Sequence, residues 1–272
     1  MQTDENEKLK ALANTIRKHV LNMVMHAQSS HIGASYSIVE ILVTLYTNIL
    51  KIDPKNPTDP YRDKFLLSKA HGSTALYAIL AEVGFFPLEY LNRYYVDDSI
   101  LPGHLDRESV PGIEFSMGSL GHGLSVGVGM AIANRQTKNP GRIFVLLSDG
   151  ECNEGSVWEA IMLASHLKLA NLTVIVDYNK IQSFGRTNEV INQEPVLDRW
   201  RAFGWDVWEV DGHNFDGLLD ALRAPHTGPK VIIAHTVKGK GVSFMEDTLD
   251  WHYKSPNKEQ YEQAMHELEN LD

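Results

Sequence analysis

The chain has 272 residues, a length that suits one large α/β domain and can bury a full core without disulfides or structural zinc. Its formal net charge of -10 argues against non-specific attraction to nucleic acid or to an anionic membrane. Cys152 is the only cysteine, so an intrachain disulfide is excluded and a reducing cytoplasm is expected. We find no run of about 18 apolar residues that predicts a membrane span, and no apolar secretory signal at the N-terminus.

The predicted elements alternate between helices and short strands along the chain. Apolar residues recur every three or four positions from Leu9 to Ala27, which predicts an amphipathic first helix. Further helices are predicted at 37–50, 72–83, 120–138, 155–170, 194–203, 214–223 and 256–270. Five short apolar runs, several of them rich in Val and Ile and bounded by Gly, Asp or Asn, are predicted as strands buried on both faces: Phe65–Ser68, Ile143–Ser148, Thr173–Tyr178, Asp206–Val210 and Val231–Thr236.

This alternation predicts an α/β fold with three α/β/α layers and a mainly parallel central sheet. No internal repeat, low-complexity tract or linker divides the sequence, so residues 1–272 are expected to form one domain. Ligands of such sheets bind beyond the C-terminal ends of the strands. The residues that follow each strand are therefore the first place to look for a functional site.

Oxygen-bearing side chains follow two predicted strands that are one βαβ step apart. Asp149 supplies a carboxylate after the first strand, and Asn179 supplies an amide oxygen after the second, 30 residues later. Mg²⁺ accepts such ligands when phosphate oxygens complete its octahedron. Gly150 lets the backbone approach a phosphate closely, and the helix that starts near Glu154 would aim its N-terminal dipole at that anion. Each segment alone fits an ordinary turn, but the pair favours a magnesium–phosphate site.

The two segments resemble the signature of the thiamine-diphosphate enzymes, which is Gly-Asp-Gly, about thirty residues and then Asn. Ser148 stands here in place of the first glycine. Segments in family order and with family spacing, from about residue 10 to residue 256, narrow the resemblance to transketolases. They are Gln28-Ser-Ser-His-Ile-Gly-Ala34, Leu67-Ser-Lys-Ala-His-Gly72, Leu101-Pro-Gly-His104, Gly118-Ser-Leu-Gly-His-Gly123, Ala164-Ser-His-Leu-Lys-Leu-Ala-Asn-Leu172, Lys238-Gly-Lys-Gly-Val-Ser-Phe244 and Trp251-His252. Ile32 and Tyr253 depart from the family, which has Pro and often Gly there.

The resemblance implies roles for some of the residues in these segments. The predicted metal ligands are Asp149, Asn179 and the carbonyl of Ile181, with Mg²⁺ as the ion and Ca²⁺ or Mn²⁺ as possible substitutes. The residues expected to bind thiamine diphosphate are His71, Gly118, Leu120, Gly150, Glu154, Asn179, Ile181 and His252. The expected catalytic residues are His31, His104, His252 and Glu154. Imidazole suits this chemistry because it can both donate and accept protons near neutral pH.

The resemblance also implies that the chain is one half of an enzyme. In transketolases a glutamate on a separate pyrimidine-binding domain activates the cofactor, and that domain follows the region matched here. We therefore expect a second subunit that carries the missing domains, in an α₂β₂ heterotetramer. Glu154 and Glu159 resemble the acidic residues that link paired active sites across the family's dimer interface.

The expected activity is transfer of a two-carbon ketol unit from a ketose to an aldose, with both sugars phosphorylated. One alternative is a subunit of another thiamine-diphosphate enzyme, either a 2-oxo acid dehydrogenase or a 1-deoxyxylulose-phosphate synthase. Another is a cofactor-binding remnant without catalytic activity. The combined pattern of His31, His71, His104 and His252 favours transketolase because these side chains suit sugar hydroxyls.

Overall fold

The computed structural model describes the backbone of residues 2–270 and the side chains of residues 5–270. Its strands are β1 (Lys64–Leu67), β2 (Ile143–Ser148), β3 (Leu172–Tyr178), β4 (Asp206–Asp211) and β5 (Lys230–His235). They form one sheet in the order β1-β2-β3-β5-β4, and every neighbouring pair is parallel. The prediction of a mainly parallel sheet is confirmed, and all C-terminal strand ends therefore meet at one edge.

Helices cover the sheet in the described part of the chain. They are α1 (Gln2–Ala27), α2 (Ile32–Tyr36), α3 (Val39–Thr44), α4 (Ser73–Glu82), α5 (Gly123–Gln136), α6 (Gly155–His166), α7 (Thr187–Val190), α8 (Val196–Ala202), α9 (Phe215–Arg223) and α10 (Lys258–Glu269). Helix α1 contacts α3, α4 and α10, whereas α5 contacts α6 and the strands β1 to β3. These packed groups confirm the α/β/α architecture.

The strands differ in burial according to their position in the sheet. All residues of β2 and β3 are buried, as expected for central parallel strands. The expectation that β4 is buried on both faces is wrong, because β4 is an edge strand whose residues are exposed or half-buried. Trp208 on β4 is 39% exposed. Acidic residues occupy positions 206, 209 and 211 of this strand. Charges on an edge strand oppose its pairing with a strand of another protein molecule.

The segment Ile32–Ile49 is long and apolar enough to cross a membrane by composition, although the sequence alone did not predict a span. In the fold it comprises α2, α3 and a π-helical turn at Leu45–Ile49, and 89% of it is buried inside the protein. Core helices of soluble proteins have the same properties, so we interpret this segment as part of the protein interior.

A buried ionic network connects α1, α3 and the loop after β4. The Nη2 of Arg17 donates to both carboxylate oxygens of Glu40, at 2.7 and 2.9 Å. His213 accepts from the Val237 N–H at Nε2 (2.8 Å), so its Nδ1 carries a proton that it donates to Glu40 at 2.9 Å. Burial alone would raise the pKa of Glu40, but Arg17 and His213 outweigh it and lower that pKa to about 2.

We expect Glu40→Gln to reduce the free energy of unfolding by about 3 kcal/mol at pH 7, because Arg17 stays buried without its counter-ion. The folded-state pKa of Glu40 lies below its ordinary value of 4.5. Its contribution is therefore complete above pH 4.5 and is lost as the pH falls toward 2. Urea unfolding at several pH values should show the wild-type advantage shrinking over that window. Glu262→Gln, at an exposed ion pair, is the control and should reduce the free energy of unfolding by less than about 0.5 kcal/mol. If the stability lost in Glu40→Gln did not vary with pH, the charged state proposed for Glu40 would be wrong.

Candidate active site

A cavity of about 450 Å³ opens at the C-terminal ends of β2 and β3. The structure brings all of the sequence-predicted site residues together in its lining: His31, His71, His104, Gly118, Leu120, Asp149, Gly150, Glu154, Asn179, Ile181 and His252. They come from segments that are far apart in the sequence. Convergence of so many predicted residues at one sheet edge makes this cavity the candidate active site.

The Asp149 carboxylate is fixed by hydrogen bonds from two chain segments. Its Oδ1 accepts from the Gly150 N–H at 2.7 Å, and its Oδ2 accepts from the Lys180 N–H and the Thr187 hydroxyl, both at 2.8 Å. The Lys180 amide follows directly after Asn179, so the two predicted metal ligands are neighbours in space. Lys180 has a left-handed backbone (φ 66°), a conformation that non-glycine residues adopt rarely, and this turn aims its amide at Asp149.

The orientation of the Asn179 side chain is set by a buried carboxylate. Its Nδ2 donates to Asp177 Oδ2 at 2.9 Å, and its Oδ1 accepts from the Ile181 N–H at 3.1 Å. Asp177 also accepts from Ser37, Thr236 and the Lys69 ammonium. Burial would raise the pKa of Asp177, but Lys69 and these donors keep it below the ordinary value. These contacts fix the amide orientation of Asn179, which lines the cavity.

The Ile181 carbonyl already faces a positive charge. Lys238 Nζ donates to it at 3.0 Å and to Nδ1 of His252 at 2.7 Å. Burial, with Lys69 nearby, lowers the pKa of Lys238 to about 8, so its ammonium still predominates near pH 7. A carboxylate, an amide oxygen and a backbone carbonyl are oxygen ligands that Mg²⁺ accepts when phosphate oxygens complete its octahedron, and the Lys238 ammonium would attract the same phosphates. The donor set therefore fits the predicted magnesium–diphosphate group.

Four histidines form one cluster in the cavity. The ring centroid of His31 lies 5.5 Å from that of His71, 5.8 Å from that of His104 and 5.2 Å from that of His252. His31 has a left-handed backbone (φ 73°), and its N–H donates to the His252 carbonyl at 2.9 Å. Such strain persists where surrounding contacts fix the residue, and it is common at functional sites.

These imidazoles are held in their neutral form. Burial is the largest cause, and it lowers the pKa of His31 to about 4 and that of His252 to about 3, with Lys238 contributing to both. Burial also lowers the pKa of His71 and that of His104. Because Lys238 donates to Nδ1 of His252, the proton of that neutral ring resides on Nε2. The cluster can therefore both donate to and accept from hydroxyl groups.

The remaining predicted residues occupy the edge of the cavity. Gly118 lies under His104, since a Cβ added there would be 3.8 Å from its ring, and a Cβ on Gly150 would be 3.0 Å from Gln182. Leu120 is half-buried, and Glu154 is exposed at the start of α6. The side chain of Glu154 makes no hydrogen bond that caps this helix, whose Val157 N–H donates to the Glu154 carbonyl at 3.2 Å.

Sequence reasoning missed the buried carboxylate of Glu151. It accepts from the Ser68 hydroxyl, from the Gly121 N–H at 2.9 Å and from the Ser148 N–H at 3.2 Å. The loops that carry Ser68 and Gly121 and the end of β2 thus meet at one side chain, which is fully buried. The sequence offered one indication of its importance, an acidic residue directly after Ser148-Asp-Gly. Only the fold shows which segments donate hydrogen bonds to it.

Sequence reasoning also missed the buried pair of Lys69 and Asp177, which are both fully buried. The available signal was a charged residue inside the apolar run Thr173–Tyr178, because a buried charge requires a partner. Cys152 is likewise buried, and burial raises its thiol pKa well above the ordinary value. A thiol in that state is a poor nucleophile.

Known proteins of the same family match this chain over nearly its whole length. The family described as "Transketolase, thiamine diphosphate binding domain" matches residues 8–268. The 6-deoxy-6-sulfo-D-fructose transketolase subunit SqwG of a Clostridium species is 43% identical, with 94% of each protein covered. A subunit of the apulose-4-phosphate transketolase of Phocaeicola vulgatus is 42% identical, over 96% of this chain and 94% of that protein.

Single-chain transketolases match the same region but extend far beyond it. The crystal structure of Campylobacter jejuni transketolase superimposes with a TM-score of 0.90 at 33% identity. It is matched over 96% of this chain and 42% of its own length. Human transketolase is 36% identical, over 97% of this chain and 43% of the human protein.

The fold and the site define a thiamine-diphosphate-binding module. The chain belongs to the transketolase family. It is of the kind found in split transketolases, as a subunit of a two-carbon ketol transferase that depends on a partner.

Proposed function

We propose that the chain forms a single domain and is the diphosphate-binding subunit of a cytoplasmic, two-component transketolase. The observation that carries this proposal is the convergence of Asp149, Asn179 and Ile181 with four neutral histidines in one cavity. Thiamine diphosphate, when bound, would supply the carbon nucleophile and the electron sink for cleavage of a C–C bond. The chain would supply binding, orientation and proton transfer.

In this proposal Asp149, Asn179 and the Ile181 carbonyl hold Mg²⁺ and, through it, the diphosphate. His71, Gly150 and the Nε2–H of His252 donate hydrogen bonds to the same anion, and the charge of Lys238 favours its binding. Leu120 and the Ile181 side chain give the cofactor ring an apolar surface.

The sugar hydroxyls would meet His31, His104 and His252. Their depressed pKa values keep these rings neutral near pH 7, so His31 and His104 can donate a hydrogen bond from one ring nitrogen and accept one at the other, whereas His252, whose Nδ1 accepts from Lys238, can donate from Nε2. Two relatives are named for a sulfo sugar and for a sugar phosphate. We therefore propose an anionic ketose as the donor and an aldose phosphate as the acceptor.

The partner would be a polypeptide equivalent to the part of single-chain transketolases that lies outside the region matched here. We propose an α₂β₂ heterotetramer. Glu154 and Glu159, which are exposed in the isolated chain, would lie at the contact that links its paired active sites.

We expect the purified chain, supplied with thiamine diphosphate and Mg²⁺, to show no ketol transfer until the partner polypeptide is added. The assay should compare a ketose phosphate with pyruvate as donor, because pyruvate would indicate a different class of thiamine-diphosphate enzyme. Robust turnover by the chain alone would disprove the two-component hypothesis, and turnover of pyruvate but not of ketose phosphate would disprove the proposed reaction.

A further inference from the structure

The segment 237–240 follows β5 and carries a lysine into the active-site cavity. Lys238 is 1% exposed, and its ammonium donates to the Ile181 carbonyl and to Nδ1 of His252. A lysine side chain is long and flexible, so the position of its ammonium depends on how firmly the backbone that carries it is held. The contacts that fix this segment therefore affect the site.

Two side chains from outside that cavity hold the two ends of the segment. The Val237 N–H donates to Nε2 of His213 at 2.8 Å, and Nε of Arg17 donates to the Lys240 carbonyl at 2.8 Å. His213 and Arg17 both line a second cavity, of about 790 Å³, and are not among the residues that line the first. They therefore reach the segment without contacting the four clustered histidines.

The middle of the segment is fixed by the main chain. The Gly239 N–H donates to the Gly33 carbonyl at 3.0 Å, and the Asp247 N–H donates to the Lys238 carbonyl at 2.8 Å. Gly239 has a left-handed backbone (φ 81°), which glycine adopts without strain. Main-chain bonds thus set the shape of the turn, whereas its first residue is held by an imidazole.

We infer that His213 is a positioning residue for Lys238 and that it acts through the Val237 amide. This inference rests on the proposed function, in which Lys238 favours binding of the diphosphate, and it goes beyond that function by giving a role to a side chain outside the cavity. The Nδ1–H of His213 donates to Glu40 at 2.9 Å, which leaves Nε2 as the acceptor. Because Glu40 also accepts from Arg17, one buried network holds both ends of the segment.

Two replacements separate the two nitrogens of this ring. His213→Asn places its amide near the position of Nδ1, so it can still donate to Glu40 but does not reach the Val237 N–H. His213→Gln is longer, and its amide oxygen can accept from the Val237 N–H near the position of Nε2, but the contact with Glu40 is lost. Each variant gives up one hydrogen bond, so both should become similarly less resistant to urea. They are expected to differ in the segment and in the cofactor site.

Hydrogen–deuterium exchange of the isolated chain tests the positioning step without cofactor or partner. The peptide that spans residues 237–240 should exchange about 10-fold faster in His213→Asn than in wild type, because loss of one hydrogen bond changes a local equilibrium by about that factor. It should exchange near the wild-type rate in His213→Gln. His19→Asn is the matched control, because it removes the 2.7 Å contact of a different Nε2, with Glu82, and should leave this peptide unchanged.

Calorimetric titration of the complex with the partner tests the consequence for the cofactor. With Mg²⁺ present, His213→Asn should bind thiamine diphosphate about 10-fold more weakly than wild type, which is the effect of losing a residue that orients a ligand. His213→Gln should retain most of the affinity, and His19→Asn should bind like wild type.

Each outcome decides a separate point. If His213→Gln loses as much affinity as His213→Asn, the effect follows the contact with Glu40 and the positioning assignment is wrong. The assignment is also wrong if the segment exchanges at the wild-type rate in His213→Asn. In both cases ketol transfer by the wild-type complex would leave the proposed function intact. If the wild-type complex shows neither cofactor binding nor ketol transfer, the proposed function fails and the inference fails with it.

Discussion

Replacing Asp149 by alanine is expected to abolish Mg²⁺-dependent binding of thiamine diphosphate in the complex with the partner. Loss of residues that merely orient a metal ligand costs 10- to 100-fold in metal affinity or activity, so removal of a ligand itself should cost more than about 100-fold. The Asp149 carboxylate is also the acceptor for the amides of Gly150 and Lys180. Its removal therefore loosens the loop that carries Asn179 as well.

Calorimetric titration of the reconstituted complex with thiamine diphosphate, with and without Mg²⁺, would measure this loss. Asp149→Asn tests the charge of the side chain alone, because an amide has nearly the same size and shape as a carboxylate. We expect it to lose nearly as much affinity as the alanine variant. Asp198→Asn, at an exposed ion pair on α8, is the control and should bind normally. Unchanged cofactor affinity in Asp149→Ala would refute the metal assignment.

Replacing Lys69 by methionine is expected to reduce the free energy of unfolding by about 3–5 kcal/mol. Both Lys69 and Asp177 are fully buried, and removal of one partner leaves the other charge without compensation. Lys69 also donates to the Ala34 carbonyl at 2.9 Å, so the segment that follows His31 loses a contact. Because Asp177 orients the Asn179 amide, cofactor affinity should fall together with stability.

Urea unfolding of the isolated chain would give the stability, and titration with thiamine diphosphate would give the affinity. Lys254→Met removes a lysine from an exposed ion pair with Asp250 and should change the unfolding free energy by less than about 1 kcal/mol. A Lys69→Met variant as stable as this control would show that the buried pair does not stabilise the fold.

The convergence of Asp149 and Asn179 in the candidate site could be predicted because its signal is local. Asp149 and Asn179 each follow an apolar strand directly, and parallel strands place such positions at one edge whatever the order of the strands. The histidines could be predicted only through the family resemblance, since a single histidine beside small residues carries little information.

What could not be predicted depends on contacts between distant segments. Lys69 and Asp177 are 108 residues apart, and their pairing follows from the packing of the β1–α4 segment beside β3. The exposure of β4 follows from its place at the end of the strand order, which an apolar pattern does not encode.

The buried carboxylate of Glu151 has a consequence for how this enzyme can diverge. It accepts hydrogen bonds from Ser68, Gly121 and Ser148, so an insertion or deletion in the loops that carry Ser68 and Gly121 would remove a donor and leave a buried charge uncompensated. New sugar preferences are therefore expected to evolve through exchanges of single side chains around the histidines. The lengths of these loops should stay constant among descendants that accept different substrates.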